Sequence, residues 1–188
     1  LSGAFLSRTN LTGADLTGAN LTNSNLFSVN LTGAIFGGAN LTNANLNDVN
    51  LSGADLTGTN LTNVLTHNII GTPDALPVGW QLVNGYLVGP GTNLTSAYLA
   101  SANLSDANLS GANLSGASLL NANLSGTNFS GAIWNNTTCA DGSNSDYHLF
   151  GNCLLEMDND HDGIGNNTDL DDDGDGVPDY IDSQPLNS

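Results

Sequence analysis

Residues 11–40 read LTGADLTGANLTNSNLFSVNLTGAIFGGAN. Cut every five residues from Leu11, each block opens on Leu or Phe and carries a small or β-branched residue in fourth place. Fifth place is mostly Asn or Asp. A period of five suits neither a helix, at 3.6, nor a flat strand, at 2. It suits a chain that turns a corner every five residues. Four such blocks would close a coil of 20 residues. Positions two apart lie on one side of an extended segment. The large residue and the small one two places before it are therefore expected to fill the interior.

The rhythm runs outward in both directions. It starts at Leu1 and holds through Leu61, with Ala4, Thr9, Ala14, Ala19, Ser24, Val29, Ala34, Ala39, Ala44, Val49, Ala54, Thr59 and Val64 in the small position. It fails from Thr66 to Asn93 and resumes at Leu94, continuing through Leu119, Phe129 and Trp134. At about 4.8 Å per coil, the rod should be roughly 25 Å long. These blocks resemble the pentapeptide-repeat family over residues 1–65 and 94–138. The resemblance implies an all-β chain, a right-handed quadrilateral β-helix. Asn10, Asn20, Asn30, Asn40, Asn50, Asn60 and Asn93 also read as N-L-[ST] glycosylation sequons, but the repeat itself generates them. They are expected to bond from coil to coil as stacked amides.

The interruption, 66–93, contains Pro73, Pro77, Pro90 and five Gly. Asn84-Gly85, between apolar runs in WQLVNGYLV (80–88), predicts a β-hairpin. Trp80 and Tyr86 are read either as an exposed aromatic patch for a partner or as the hairpin's own packing.

The charge is uneven. The chain has 188 residues, one Arg (Arg8), no Lys and 18 acidic residues, giving a net charge of −17. Residues 1–150 carry about −6 of this and 151–188 carry −11. Such a balance excludes ordinary nucleic-acid binding, which needs a basic face. The acid is patterned. DNDHDGIGNNTD (158–169) and DDDGDGVPDYID (171–182) align with Asp at places 1, 3, 5 and 12 and Gly at place 6. This is the oxygen-ligand spacing of an EF-hand-type loop. Expected ligands are Asp158, Asp160, Asp162, Asp169, Asp171, Asp173, Asp175 and Asp182, with the carbonyls of Ile164 and Val177. Hard carboxylate oxygens select Ca²⁺ over Zn²⁺, and about two or more ions are expected. Only Leu170 separates the loops, so flanking helices cannot fit. The tandem resembles the thrombospondin type-3 calcium repeat, without that family's cysteine.

Cys139 and Cys153 fit one disulfide in an oxidising compartment, the alternative being two buried thiols. A bridge would close about 15 residues and contribute roughly 3 kcal/mol at most. The chain opens on Leu1 rather than Met, as expected of a processed or trimmed sequence. Secretion, to the extracellular space or cell surface, is inferred from composition. No apolar run approaches the ~18 residues of a membrane span. His67, His148 and His161 stand apart from one another, and no catalytic constellation is apparent, so the chain is read as non-enzymatic.

The organisation expected is a solenoid over 1–65, a hairpin-containing insertion over 66–93, a second solenoid stretch over 94–138, a disulfide-stapled linker over 139–157 and an irregular calcium-binding tail over 158–188. Repeat register from residue 1 without a cap suggests head-to-tail self-assembly into a filament or surface layer. A monomeric adhesion or glycan-binding module is the alternative reading. A gyrase-inhibiting DNA mimic, known among pentapeptide-repeat proteins, ranks below both.

Overall fold

A computed structural model describes residues 1–147 and Cys153. The repeat forms a β-solenoid whose rungs are parallel bridges 20 residues apart, as in Phe5↔Asn25, Asn10↔Asn30, Asp15↔Ile35 and Asn20↔Asn40. Each block makes one turn, closed by a bond such as Ala14 N–H to the Leu11 carbonyl at 3.0 Å. The turn needs a positive φ at its third residue. Gly13 (66°), Asn23 (57°) and Asp48 (58°) supply it. Glycine carries no Cβ penalty there, and Asn and Asp tolerate it better than other residues.

Nearly every polar backbone group in a block finds a partner. Residue 1 and residue 3 donate to the next coil, as Leu11 N–H does to Asn30 and Gly13 N–H to Thr32, both at 2.8 Å. Residue 5 donates to the previous coil, as Asn30 N–H does to Thr9 at 3.0 Å. Residue 4 closes the turn. That leaves residue 2, whose N–H is taken by the fifth-place side chain before it: Thr12 N–H donates to Asn10 Oδ1 at 3.1 Å. The Thr12 hydroxyl donates to the same oxygen at 2.6 Å.

Positions 1 and 4 point inward, as their spacing predicts. Leu21, Leu26, Leu31, Phe36, Leu41 and Leu46 are fully buried, and so are Ala34, Ala44 and Val49. Each fully buried Leu contributes about 1.5–3 kcal/mol relative to an exposed one. The large and small residues alternate around the coil and form one buried cluster through the first solenoid stretch.

In the interruption the sequence rhythm stops before the ladder does. Asn50↔Ile70 and Asp55↔Ala75 still pair 20 residues apart, although Thr66 and Gly71 replace the expected Leu. The next rung, Leu65↔Asn93, spans 28 residues. The eight extra residues accommodate the predicted hairpin: β1 (Gln81–Val83) pairs antiparallel with β2 (Tyr86–Val88). Asn84 (49°) and Gly85 (78°) both take positive φ, as a type I′ turn requires. On β2, Leu87 packs with the first core and Val88 with the second, so this strand joins the two halves of the interior.

The 28-residue step puts Gly89 in the slot that Leu61 fills one coil earlier. Trp80 lies over it: a Cβ at Gly89 would come within 2.2 Å of the indole Cδ2. The coil thus replaces one inward leucine with a tryptophan from outside the repeat. Gly89→Ala should therefore overpack this layer and cost about 1–3 kcal/mol, measured by chemical denaturation. An unchanged midpoint would show that Trp80 is not held there.

Candidate functional site

The described chain ends in a closed coil. Phe129 and Trp134 pack with ring centroids 4.7 Å apart and planes tilted by 50°. Thr138 pairs antiparallel with Asn144, and Ser145–Tyr147 form a single 3-10 turn. Ser145 Oγ donates to the Trp134 carbonyl at 2.7 Å and accepts the Thr137 N–H at 2.9 Å. Cys139 sits fully buried at the large-residue position of the last coil and is bonded to Cys153, with Cα atoms 5.3 Å apart. The expected disulfide is present. It ties the chain to the solenoid five residues before Asp158. The expected calcium ligands, from Asp158 to Asp182 and including Ile164 and Val177, lie outside the described residues, as do His148 and His161. Among the described residues no group of His, Cys, Asp and Glu is arranged to hold a metal. No described helix is long and apolar enough to cross a membrane.

The faces of the rod are mostly polar, rich in Asn, Thr and Ser, with scattered Asp and the exposed apolar residues Phe5, Ile35, Ile70 and Ile133. The fifth-place Asn residues correct one expectation. Their Oδ1 atoms turn along the chain to the N–H two residues on, at Asn10, Asn20, Asn30, Asn40, Asn50, Asn60 and Asn93. The coil-to-coil amide ladder lies mainly at third place instead. Asn63 Nδ2 donates to Asn43 at 2.7 Å, and Asn43 to Asn23 at 3.0 Å. At fifth place, Asn123 Nδ2 reaches Asn103 at 3.3 Å and Asn128 reaches Asn108 at 3.5 Å, both long. The reason is local: the orphan N–H of residue 2 claims the carbonyl oxygen first.

Asp can fill the same role. Asp15 and Asp55 accept the backbone N–H groups of Thr17 and Thr57 at 3.0 and 2.8 Å. Hydrogen bonds from the Thr17 and Thr57 side chains, and then from their backbone, hold both carboxyls below the usual carboxylate range, against a small opposing effect of burial.

The aromatic residues of the insertion are internal. Trp80 is half-buried over Gly89, and Tyr86 is buried. The exposed-patch reading of this pair is thus corrected in favour of packing. The Tyr86 hydroxyl lies 3.0 Å from His67 Nδ1 and accepts the Tyr98 N–H at 3.1 Å. Tyr98, which stands in fifth place where Asn usually does, is the exposed aromatic here.

The chain matches the family described as pentapeptide repeats, in 8 copies, over residues 1–26, 24–63 and 92–137. No curated protein matches it. Among solved structures it resembles HetL, a pentapeptide repeat protein involved in heterocyst differentiation regulation in the cyanobacterium Nostoc sp. strain PCC 7120, with 28% identity, a TM-score of 0.32 and coverage of 77% of this chain and 63% of that one. It also resembles Rfr23 of the cyanobacterium Cyanothece 51142, with 25% identity, a TM-score of 0.25 and coverage of 72% and 81%. A third is QnrB1, a plasmid-mediated fluoroquinolone resistance protein, with 16% identity, a TM-score of 0.36 and coverage of 69% and 72%.

The carboxylate bonds make a prediction about pH. A group whose folded pKa is depressed contributes stability above its unfolded pKa and loses that contribution as pH falls through the folded value. Asp15 and Asp55 should therefore support the solenoid at neutral pH and stop doing so only in acid, below the usual carboxylate range. By NMR titration, Thr57→Val should raise the pKa of Asp55 toward its ordinary value and leave Asp15 unchanged. An unmoved Asp55 would contradict the assignment.

Proposed function

Since the chain belongs to the pentapeptide-repeat family, we propose that it is a non-enzymatic extracellular structural protein, a right-handed quadrilateral β-helix joined by a disulfide to a calcium-binding tail. Copies associate end to end. The Cys139–Cys153 disulfide carries this reading. Such bonds persist in oxidising compartments, and this one links Cys139 of the solenoid to Cys153, five residues before the first Asp of the paired pattern. The paired twelve-residue Asp patterns supply the calcium reading. Without a cation their carboxylates would repel; with one, each loop has hard oxygen ligands at spacings that converge on an ion.

End-to-end association draws on the ladder itself: a rung presents backbone groups to both sides, as Asn40 does in pairing with Asn20 and Asn60, so a coil of a second copy has matching groups to offer. Contact of this kind between copies would be heterologous and open, which builds filaments or layers. A DNA-mimicking role has less support. It needs carboxylates at close to duplex charge density, whereas Ile35 stands between Asp15 and Asp55 on their shared face.

Electron microscopy and sedimentation, in millimolar calcium and again in excess chelator, test the reading. Filaments or large oligomers should form with calcium and disperse with chelator. Monomers under both conditions would contradict it and leave a monomeric binding module in its place.

A further inference from the structure

The ladder is interrupted on one face. Ile70 pairs with Asn50 and Tyr98 pairs with Ser118, and the 28-residue step brings Ile70 and Tyr98 into the same column. They do not pair with each other. The hairpin turn stands between them: Ile69 N–H donates to the Gly85 carbonyl at 2.9 Å, and Tyr98 N–H donates to the Tyr86 hydroxyl at 3.1 Å. The hairpin thus takes the Tyr98 N–H that a regular rung would have used and the Ile69 N–H that would have closed its own block's turn, and it leaves a gap in the wall of the rod.

Two adjoining hollows open at this gap. One, of about 220 Å³, is bordered by His67, Tyr86, Asn47 and Ser96 among others. The second, of about 330 Å³, is bordered by His67, Asn68, Asn84, Tyr86 and Tyr98. His67 and Tyr86 border both. We propose that this cleft binds a neutral saccharide, with a sugar ring stacked on Tyr98 and its hydroxyls bonded by His67, Asn68 and Asn84.

The chemistry of the lining selects this class. No Asp, Glu, Lys or Arg borders either hollow, so a charged ligand would meet no counter-charge. Each Asn amide offers donors and an acceptor side by side, as sugar hydroxyls require. Asn68 spends one N–H on Asp48, at 2.9 Å, and keeps its carbonyl oxygen and second N–H. The Tyr86 hydroxyl accepts from Tyr98 and can donate its single proton to His67 Nδ1, the tautomer that leaves Nε2–H as a donor.

Tyr98 is the telling residue. Its column neighbour Ser118 is polar and Ile70, across the gap, is apolar and about half exposed, yet neither covers Tyr98, which sets a ring in solvent at 70% exposure. The ladder does not need the ring: the rung to Ser118 is made by the backbone of Ala97 and Leu99, and the Tyr98 N–H goes to the Tyr86 hydroxyl. An aromatic face beside convergent polar groups is how an amphipathic ligand is held. The backbone bonds to Gly85 and Tyr86 already fix the cleft, so little ordering is left for binding to cost. The cleft lies midway along the ladder, so it does not depend on end-to-end assembly.

The test is an NMR titration of the isotopically labelled full chain in calcium. The probes are glucose, galactose, mannose, N-acetylglucosamine and their β-linked oligomers, with sialylated and sulfated glycans run alongside. At least one neutral sugar should shift both the His67 and Tyr98 ring signals. Tyr98→Ala should weaken that binding at least about tenfold while the solenoid's circular dichroism stays unchanged. Asn84→Gly, which keeps the positive-φ turn, should weaken it as well and serves if Tyr98→Ala does not fold. The proposal is overturned if no neutral sugar moves these rings, if both variants bind like the parent, or if the anionic glycans bind in preference.

Discussion

The hydrogen bonds between successive coils are the constraint on which everything else depends. A five-residue block is too short to satisfy its own backbone. It contains one internal bond, and it must lend two N–H groups to the coil ahead and one to the coil behind. A coil alone would expose those groups, so the repeat is stable only as a stack. The remaining N–H, on the second residue, has no backbone partner at all. A side-chain oxygen immediately before the large residue is the local solution, and Asn and Asp provide it. The composition of the chain follows. Leu and Ala fill the interior, Gly and Asn tolerate the left-handed turn, and Asn, Asp, Thr and Ser complete the backbone.

The same constraint explains how the insertion is tolerated. Extra residues in a stack would break a rung and leave polar groups without partners. Here the hairpin takes over two of those donors, the Gly85 carbonyl accepting from Ile69 and the Tyr86 hydroxyl from Tyr98. Leu87 and Val88 continue the buried column, and Trp80 occupies the space over Gly89. The two cores, one on each side of the interruption, meet at the adjacent residues Leu87 and Val88, while the outer wall opens. A chemically plain rod acquires its distinctive surface at that point.

The solenoid was legible because its periodicity is visible in two positions of each block, the large and the small. Asn84-Gly85 announced the hairpin for an equally local reason, since only such residues accept the turn's positive φ values. The third position carried a further signal that the apolar pattern hides: apart from Arg8, the repeat's positive-φ third places hold Gly, Asn, Asp or Ser, and reading them would have located the turns. The persistence of rungs at Ile70 and Ala75 was not legible, because Thr66 and Gly71 do not look like inward residues. Nor was the role of Tyr98. It occupies an ordinary fifth place, and only the 28-residue step shows that the hairpin separates it from Ile70. The fifth-place Asn residues were misjudged, and the two readings of Tyr86 stayed open, for one reason. A residue type states what a side chain can bond, while the nearest unsatisfied backbone group decides what it does bond.

Amide hydrogen exchange measured by NMR addresses the ladder most directly. If coil-to-coil bonds hold the fold, the amides of first, third and fifth residues should exchange slowly through the middle of the rod, as at Leu41, Asn43 and Asn45. The amide of Thr42, held only by the Asn40 side chain, should exchange faster. Protection with this period of five, carried across the insertion to Asn93 and beyond, is the predicted result. Uniformly rapid exchange, or protection without the five-residue period, would contradict it.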